Sequence, residues 1–105
     1  MWFFCKCSNL KAPGTRRATL DSHLAWMQAM HEAGKIVLSG PSPDLKLGMY
    51  LIRASSVEEA HRIAASDPYT ELGDSTYELI QWNIRQIMGV GPFTAAGLGL
   101  ADRGL

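Results

Sequence analysis

His23 and Asp67 are the side chains in this sequence best suited to proton-transfer chemistry. An imidazole changes its protonation near neutral pH, so a histidine at the edge of a pocket can act as a general acid or base. His23 lies on a predicted helix at the border of an apolar stripe, one turn before Met27 and two before Met30. The spacing alone favours a half-buried core histidine, and the acid–base role stays open beside it.

Asp67 follows a second predicted helix and directly precedes Pro68. A carboxylate at the end of a helix faces the negative end of the helix dipole, which is unfavourable. Asp67 is in register with the inward-facing Ala60, Ile63 and Ala64, so we expect it to be buried or half-buried. Its side chain could accept a backbone N–H of the following turn. It could equally fix the orientation and tautomer of a histidine on the neighbouring helix.

Two further stretches contain groups that could line a site. Arg16 and Arg17 stand just ahead of the first helix, where arginines are usually surface charges. In a pocket, one of them would offer a guanidinium fork to an anionic oxygen. Ser39-Gly40-Pro41 closes a predicted strand; it is either a plain turn or a source of a hydroxyl and backbone amides for a small site.

The other candidate residues have simpler structural explanations. His31 lies in the apolar stripe of its helix, which also contains Leu20, Leu24 and Met27 and is expected to face the core, so packing explains it. His61 looks like solvated helix surface. Cys5 and Cys7 share one face of the first strand, and no second ligand pair at zinc spacing accompanies them, so we expect core residues. A G-x-S-x-G nucleophile elbow and a glycine-rich phosphate loop at a strand–helix junction are both absent from the sequence.

The pattern along the chain predicts an α+β domain of the ferredoxin-like class. The order is β-α-β-β-α-β, the split βαβ arrangement, in which both helices lie on one face of an antiparallel sheet. The predicted strands cover residues 1–7, 35–40, 47–54 and 75–84, and the predicted helices cover residues 15–33 and 55–66. Residues 1–85 form this domain, and residues 86–105 are a glycine-rich extension expected to pack on the domain or on a neighbouring subunit.

Both faces of the predicted sheet are apolar. Trp2 and Phe4 point to the face opposite Phe3, and in the last strand Ile80 and Trp82 point opposite to Leu79, so both faces of each strand carry apolar residues. A sheet covered by helices on one side needs only one apolar face. We therefore expect a second sheet, most simply that of an identical subunit, to pack on the open face.

Composition excludes several classes of protein. The chain has 105 residues, enough for one domain, and a formal net charge of zero, which argues against a protein held mainly by nucleic-acid phosphates. No apolar run approaches a membrane span, and the aromatic start lacks the basic region of a signal peptide. With no export signal and two cysteines, the cytoplasm is the expected compartment.

Three segments together resemble a known family, the YciI-like (YCII-related) family, over residues 1–85. They are "HLAWMQAMHEAGKIVLSGP" (23–41), "EEAHRIAASDPY" (58–69) and "IQW" (80–82). The resemblance implies a ferredoxin-like fold that pairs through its sheets into a dimeric α/β barrel. It also implies a His-Asp pair at His23 and Asp67, a Ser-Gly-Pro turn at residues 39–41, and a site arginine at Arg17 rather than Arg16.

The resemblance further implies a type of reaction. One branch of the family removes HCl from a chlorinated hydroxyhydroquinone in the bacterial breakdown of chlorinated aromatics. The corresponding hypothesis is a cofactor-free, metal-free lyase or isomerase acting on a small aromatic substrate. In it, His23, held by Asp67, shuttles a proton while Arg17 steadies an oxyanion. The alternative is a non-catalytic small-ligand-binding or assembly module; Trp26 and Tyr69 suit an aromatic ligand but would equally suit a core.

Overall fold

The computed structural model describes residues 1–11 and 17–88. Residues 12–16 and 89–105, together with the side chain of Arg17, lie outside this description. The sequence predictions for Arg16, for the Arg17 guanidinium and for most of the C-terminal extension therefore stay predictions.

The chain folds as an antiparallel sheet with its helices on one face, which confirms the predicted α+β, ferredoxin-like class on which dimeric α/β barrels are built. The elements are β1 (Trp2–Asn9), α1 (Arg17–Glu32), β2 (Ile36–Pro41), β3 (Leu47–Arg53), α2 (Val57–Ala65), α3 (Pro68–Glu71) and β4 (Ser75–Gln81). The four strands are ordered β2-β3-β1-β4, and each neighbouring pair is antiparallel. The short helix α3 was not predicted, and the last strand ends at Gln81 rather than at residue 84.

The start of α2 follows from its sequence. Ser56 is the N-cap, and its hydroxyl accepts the Glu59 N–H at 3.0 Å. The Glu59 carboxylate reaches back to the Ser55 N–H at 3.1 Å and also to the Ser55 hydroxyl. This reciprocal pattern is a capping box displaced by one residue, and it satisfies backbone donors that the first helical turn leaves unpaired.

The hydrophobic core lies between the sheet and the helices. Alternate residues of β1 enter it, as the period of a strand requires, and the buried side of α2 closes it from above. Cys5 and Cys7 are both buried in this core as free thiols. The buried cluster consists of Phe3, Cys5, Cys7, Ile36, Tyr50, Ile52, Ala54, Ala60, Ile63 and Ala64.

The buried face of α1 differs from the predicted stripe. Leu20 and Leu24 are 39% and 54% exposed, and His31 is exposed as well, so the expectation that these residues face the core is wrong. Of the predicted stripe, Met27 does pack against the core, together with Trp26 and Met30. The helix is turned so that its two leucines border a cavity rather than the sheet.

The face of the sheet away from the helices is apolar, as predicted. Leu51 is covered, whereas Ile80 and Trp82 are 50% and 51% exposed. Lys6 and Glu78, opposite each other in the β1–β4 register, form an ion pair of 3.5 Å on this face. Exposed apolar surface of this kind commonly marks an interface.

Within the described part of the chain, no helix has the length and apolar character needed to cross a membrane.

Two residues of the core should make the stability of the fold depend on pH in the alkaline range. Burial raises the pKa of the Tyr50 phenol above its ordinary 10.0. The hydrogen bond with Cys7, together with burial, raises the pKa of the Cys5 thiol above its ordinary 9.0. Both groups therefore stay protonated in the folded state at pH values where they ionise in the unfolded chain.

Below about pH 8.5, neither group ionises in the unfolded chain, so these two groups should not change the free energy of unfolding. As pH rises further, their ionisation in the unfolded chain should lower it. Above pH 10, Tyr50→Phe should reduce the steepness of this fall by up to about 1.4 kcal/mol per pH unit, the effect of one proton. Urea unfolding of both proteins between pH 7 and pH 11 measures the two slopes. Identical slopes would contradict the assignment to Tyr50.

Candidate functional site

A cavity of about 450 Å³ opens between α1, the ends of the strands and the turn that leads into α3. Its size suits a ligand built on a single ring. The side chains around it come from every layer of the fold, which brings together residues distant in sequence. It is lined by Cys7, Asn9, Leu20, His23, Leu24, Met27, Ser39, Gly40, Pro41, Leu45, Leu47, Gly48, Met49, Tyr50, Asp67, Tyr69 and Ser75.

His23 and Asp67 form a hydrogen-bonded pair in this cavity. The distance from His23 Nδ1 to Asp67 Oδ1 is 2.9 Å. The histidine side chain is 19% exposed and the aspartate side chain only 3%, so the imidazole is the partner that a ligand can reach. The two helical segments that supply the pair lie on the same face of the sheet, which is why residues 44 positions apart can meet.

The position of Asp67 corrects one expectation from the sequence. Helix α2 ends at Ala65, and Asp67 has left the helical conformation, with φ −59° and ψ 125°. It is the N-cap of α3, and Pro68 takes the first helical position. A carboxylate is favourable at a helix N-terminus, so the predicted conflict with the α2 dipole does not arise.

Asp67 makes both of the hydrogen bonds that the sequence left as alternatives. Its Oδ1 atom accepts the backbone N–H of Tyr69 at 3.0 Å as well as bonding to His23. The cap fixes the carboxylate relative to the backbone, and the carboxylate in turn fixes the ring of His23. One side chain therefore connects local helix formation to the geometry of the cavity.

Tyr69 completes the restraint on the histidine. Its ring stacks on the imidazole with a centroid distance of 4.4 Å and an interplanar angle of 25°. With one edge bonded to Asp67 and one face against Tyr69, the imidazole has little rotational freedom.

The hydrogen bond also determines which ring nitrogen is available for chemistry. A carboxylate can only accept hydrogen bonds, so His23 donates its Nδ1–H to Asp67 in the neutral tautomer. The lone pair then lies on Nε2, the nitrogen that can take a proton from a ligand.

Of the remaining predicted site residues, the Ser-Gly-Pro turn lines the cavity and Trp26 does not. Ser39, Gly40 and Pro41 line the cavity at the end of β2, and the Ser39 hydroxyl lies 2.9 Å from Nε2 of His31. Trp26 does not line the cavity. Its indole N–H donates to the Ser66 hydroxyl at 2.9 Å, and its ring meets the Tyr50 ring edge-on at 5.9 Å.

Several residues of the cavity were not singled out from the sequence. The Tyr50 hydroxyl lies 3.5 Å from the Cys7 sulfur, and both residues line the cavity from the sheet. Asn9 and Ser75 also line it and bond to each other at 2.9 Å. The sequence signal that could have identified Tyr50 is a tyrosine at a core position of a strand, because a buried phenol usually has a polar partner.

In residues 1–11 and 17–88, no group of three or more His, Cys, Asp or Glu side chains is arranged to hold a metal ion.

Comparison with known proteins identifies the family. The YCII-related domain matches residues 1–83, which is most of the chain. The chain belongs to the YCII-related family. Among curated proteins it is similar to the uncharacterized protein YjpA of Bacillus subtilis (strain 168), with 28% identity over 64 residues, covering 61% of this chain and 75% of YjpA.

A solved structure shares the fold of this family member. It is the 5-chloro-2-hydroxyhydroquinone dehydrochlorinase TftG of Burkholderia phenoliruptrix AC1100, in complex with 2,5-dihydroxybenzoquinone. The TM-score is 0.66 and the identity 23%, over 79% of this chain and 94% of TftG. The likeness establishes a common fold with a lyase that binds a small aromatic ligand.

The double role of Asp67 predicts different outcomes for two substitutions. Asp67→Asn keeps an oxygen that can cap Tyr69 N–H, and asparagine caps helices as well as aspartate does, so the free energy of unfolding should change by less than about 1 kcal/mol. Asp67→Ala removes the cap and leaves buried donors unsatisfied, and should cost about 2 to 4 kcal/mol. Urea denaturation at pH 7 measures both. Equal destabilisation by the two variants would contradict the capping role.

Proposed function

We propose that this protein is a small cofactor-free lyase or isomerase in which His23 transfers a proton on a phenolic or enol-like ring. The observation that carries the proposal is the 2.9 Å bond between His23 Nδ1 and the buried Asp67 carboxylate, inside a cavity large enough for one ring. The pair leaves Nε2 as the proton acceptor, and Asp67 stabilises the imidazolium that forms.

The best candidate reaction is elimination of HCl from a chlorinated hydroxyhydroquinone. The common fold with a dehydrochlorinase supports it. This elimination needs proton transfer but no external oxidant, because the departing chloride takes an electron pair from the ring.

The proposed sequence of steps is balanced by one shuttled proton and one released proton. His23 Nε2 removes the proton of the hydroxyl next to the chlorine and delivers it to the carbon that bears chlorine, giving a keto tautomer. Loss of the proton from the hydroxyl para to the new carbonyl then drives its electron pair through the ring, and chloride leaves. The products are a hydroxyquinone, chloride and a proton, and the enzyme is unchanged.

Other cavity groups have supporting parts in this proposal. The Tyr50 phenol stays protonated, because burial raises its pKa, and can donate to a ring oxygen as negative charge develops there. Ser39 can donate a second hydrogen bond from the end of β2. Arg17, implied as a site residue by the family resemblance, would stabilise the same oxyanion.

The proposal predicts a large loss of activity in one histidine variant. His23→Gln should reduce chloride release from 5-chloro-2-hydroxyhydroquinone by about 100-fold or more, because general acid–base catalysis contributes roughly that much. Chloride is measured by a chloride-selective electrode at fixed protein concentration, after circular dichroism has shown that the variant is folded.

His61→Gln is the matched control. His61 is exposed, lies on α2 outside the cavity and bonds to the Tyr77 hydroxyl at 3.0 Å. It should release chloride at the wild-type rate. Absence of chloride release by the wild type, or undiminished release by His23→Gln, would refute the proposed reaction.

We also propose that the protein acts as a homodimer through the open faces of its sheets. Ile80 and Trp82 are half exposed on this face, beside the partly buried Trp2 and Phe4. Burying such a surface against its own copy would remove a substantial apolar area from water.

Ile80→Glu should therefore shift the protein from dimer to monomer, because it places a charge on the apolar face. Analytical ultracentrifugation measures the mass. Leu72→Glu is the control, since Leu72 is 66% exposed at the end of α3, on the helical side of the sheet. A monomeric wild type, or a dimeric Ile80→Glu variant, would count against the proposed interface.

A further inference from the structure

Leu45, in the loop between β2 and β3, has an unusual backbone conformation. Its φ is +61°, the only positive φ of a non-glycine residue in the described part of the chain. In this region the Cβ atom of an L-residue comes close to the following carbonyl oxygen. Glycine, asparagine and aspartate occupy it readily, whereas leucine does so at a cost in conformational free energy.

Hydrogen bonds from two directions hold Leu45 in this conformation. The Asn9 side-chain amide donates to the Leu45 carbonyl at 2.7 Å, and the Asn9 backbone N–H donates to the Lys46 carbonyl at 2.9 Å. Within the loop, the Leu45 N–H donates to the Ser42 carbonyl at 2.9 Å. Asn9 is itself held by the Ser75 hydroxyl at 2.9 Å, so the end of β1 determines the conformation of the loop.

The strained leucine does not belong to the hydrophobic core. It is 43% exposed, and it lines the same cavity as His23. Leu20 and Leu24 of α1, also largely exposed, line that cavity too. Strain that packing does not offset is characteristic of a residue retained for a functional contact.

We propose that Leu45, together with Leu20 and Leu24, forms the apolar wall of the ligand site and selects rings that carry an apolar substituent. The inference rests on the proposed function in one respect, that the cavity is the ligand site. His23, Tyr50 and Ser39 supply hydrogen bonds for the oxygens of the ring. The leucines contact a ring position that bears no oxygen, where a chlorine or a methyl group is removed from water.

The test compares two rings that differ only in substituents. 2,5-Dihydroxybenzoquinone has hydrogen at both free positions, and its 3,6-dichloro derivative has chlorine there. We expect the wild type to bind the dichloro ring more tightly by about fivefold or more, in line with burial of a small apolar group. Isothermal titration calorimetry at pH 7 gives both dissociation constants without turnover.

Leu45→Gly should abolish most of this preference, because it should lower the affinity for the dichloro ring by more than it lowers the affinity for the unsubstituted ring. Because glycine adopts positive φ without strain, the urea midpoint should be unchanged or higher. Leu45→Asn tests the same loss with a residue that also tolerates this conformation. Leu72→Gly is the control, since Leu72 has φ −87°, lies outside the cavity and should leave the preference intact.

The outcomes separate this inference from the proposed reaction. An undiminished preference in both Leu45 variants, or a clear loss of stability in Leu45→Gly, would overturn the role of Leu45. If chloride release by the wild type persists in that case, the proposed reaction stands without it. If neither ring binds the wild type, the cavity is not a site for this class of ligand and both proposals fail.

Discussion

The geometry of the site depends on one carboxylate oxygen, Oδ1 of Asp67, which bonds to the Tyr69 N–H and to His23 Nδ1. The first bond stabilises α3, because Asp67 is its N-cap. The second bond fixes the tautomer of the histidine. Joining them at one atom means that the turn after α2 must form before His23 can be oriented. It also explains why a buried charge is tolerated, since the carboxylate is neither unpaired nor far from the positive end of a helix.

The orientation of α1 follows from the same constraint. His23 must face Asp67, and this turns Trp26 and Met30 toward the sheet and moves Leu20 and Leu24 out of the core. The helix thereby leaves large apolar side chains beside the cavity. A helix optimised for stability alone would bury its leucines, as its sequence pattern suggests. Leu45, on the opposite element, has the same character: it is largely exposed and it is strained. The cavity is therefore bordered by residues whose placement stability does not explain.

The sequence predicted those features that depend on period. The strand alternation in β1 and the inward register of Asp67 both arise from neighbours within a few residues. The rotation of α1 could not be predicted, because the stripe of Leu20, Leu24, Met27 and His31 has helical spacing, and so does the set of Trp26, Met27 and Met30 that packs against the core. Helix α3 was not predicted, because a proline directly after a predicted helix indicates the end of that helix, although proline is equally suited to the first position of a new helix. Tyr50, Asn9 and Leu45 come to the cavity only through tertiary contacts and the loop conformation.

The alternation of side chains in β1 separates the residues that line the cavity from the residues on the open face of the sheet. Cys7 and Asn9 face the helices and line the cavity, while Phe4 and Lys6 face the open side of the sheet. A slip of one residue in the pairing of β1 with β3 and β4 would exchange the two sets. Residues on either side of β1 hold the register: the buried Phe3 and Cys5 could not be exposed without loss of the core, and Lys6 pairs with Glu78 across the other face. Because the sheet separates the surfaces, a change on the open face can alter the proposed dimer without touching the His23–Asp67 pair. The proposed reaction and the proposed association therefore depend on different surfaces, coupled only through the stability of the sheet between them.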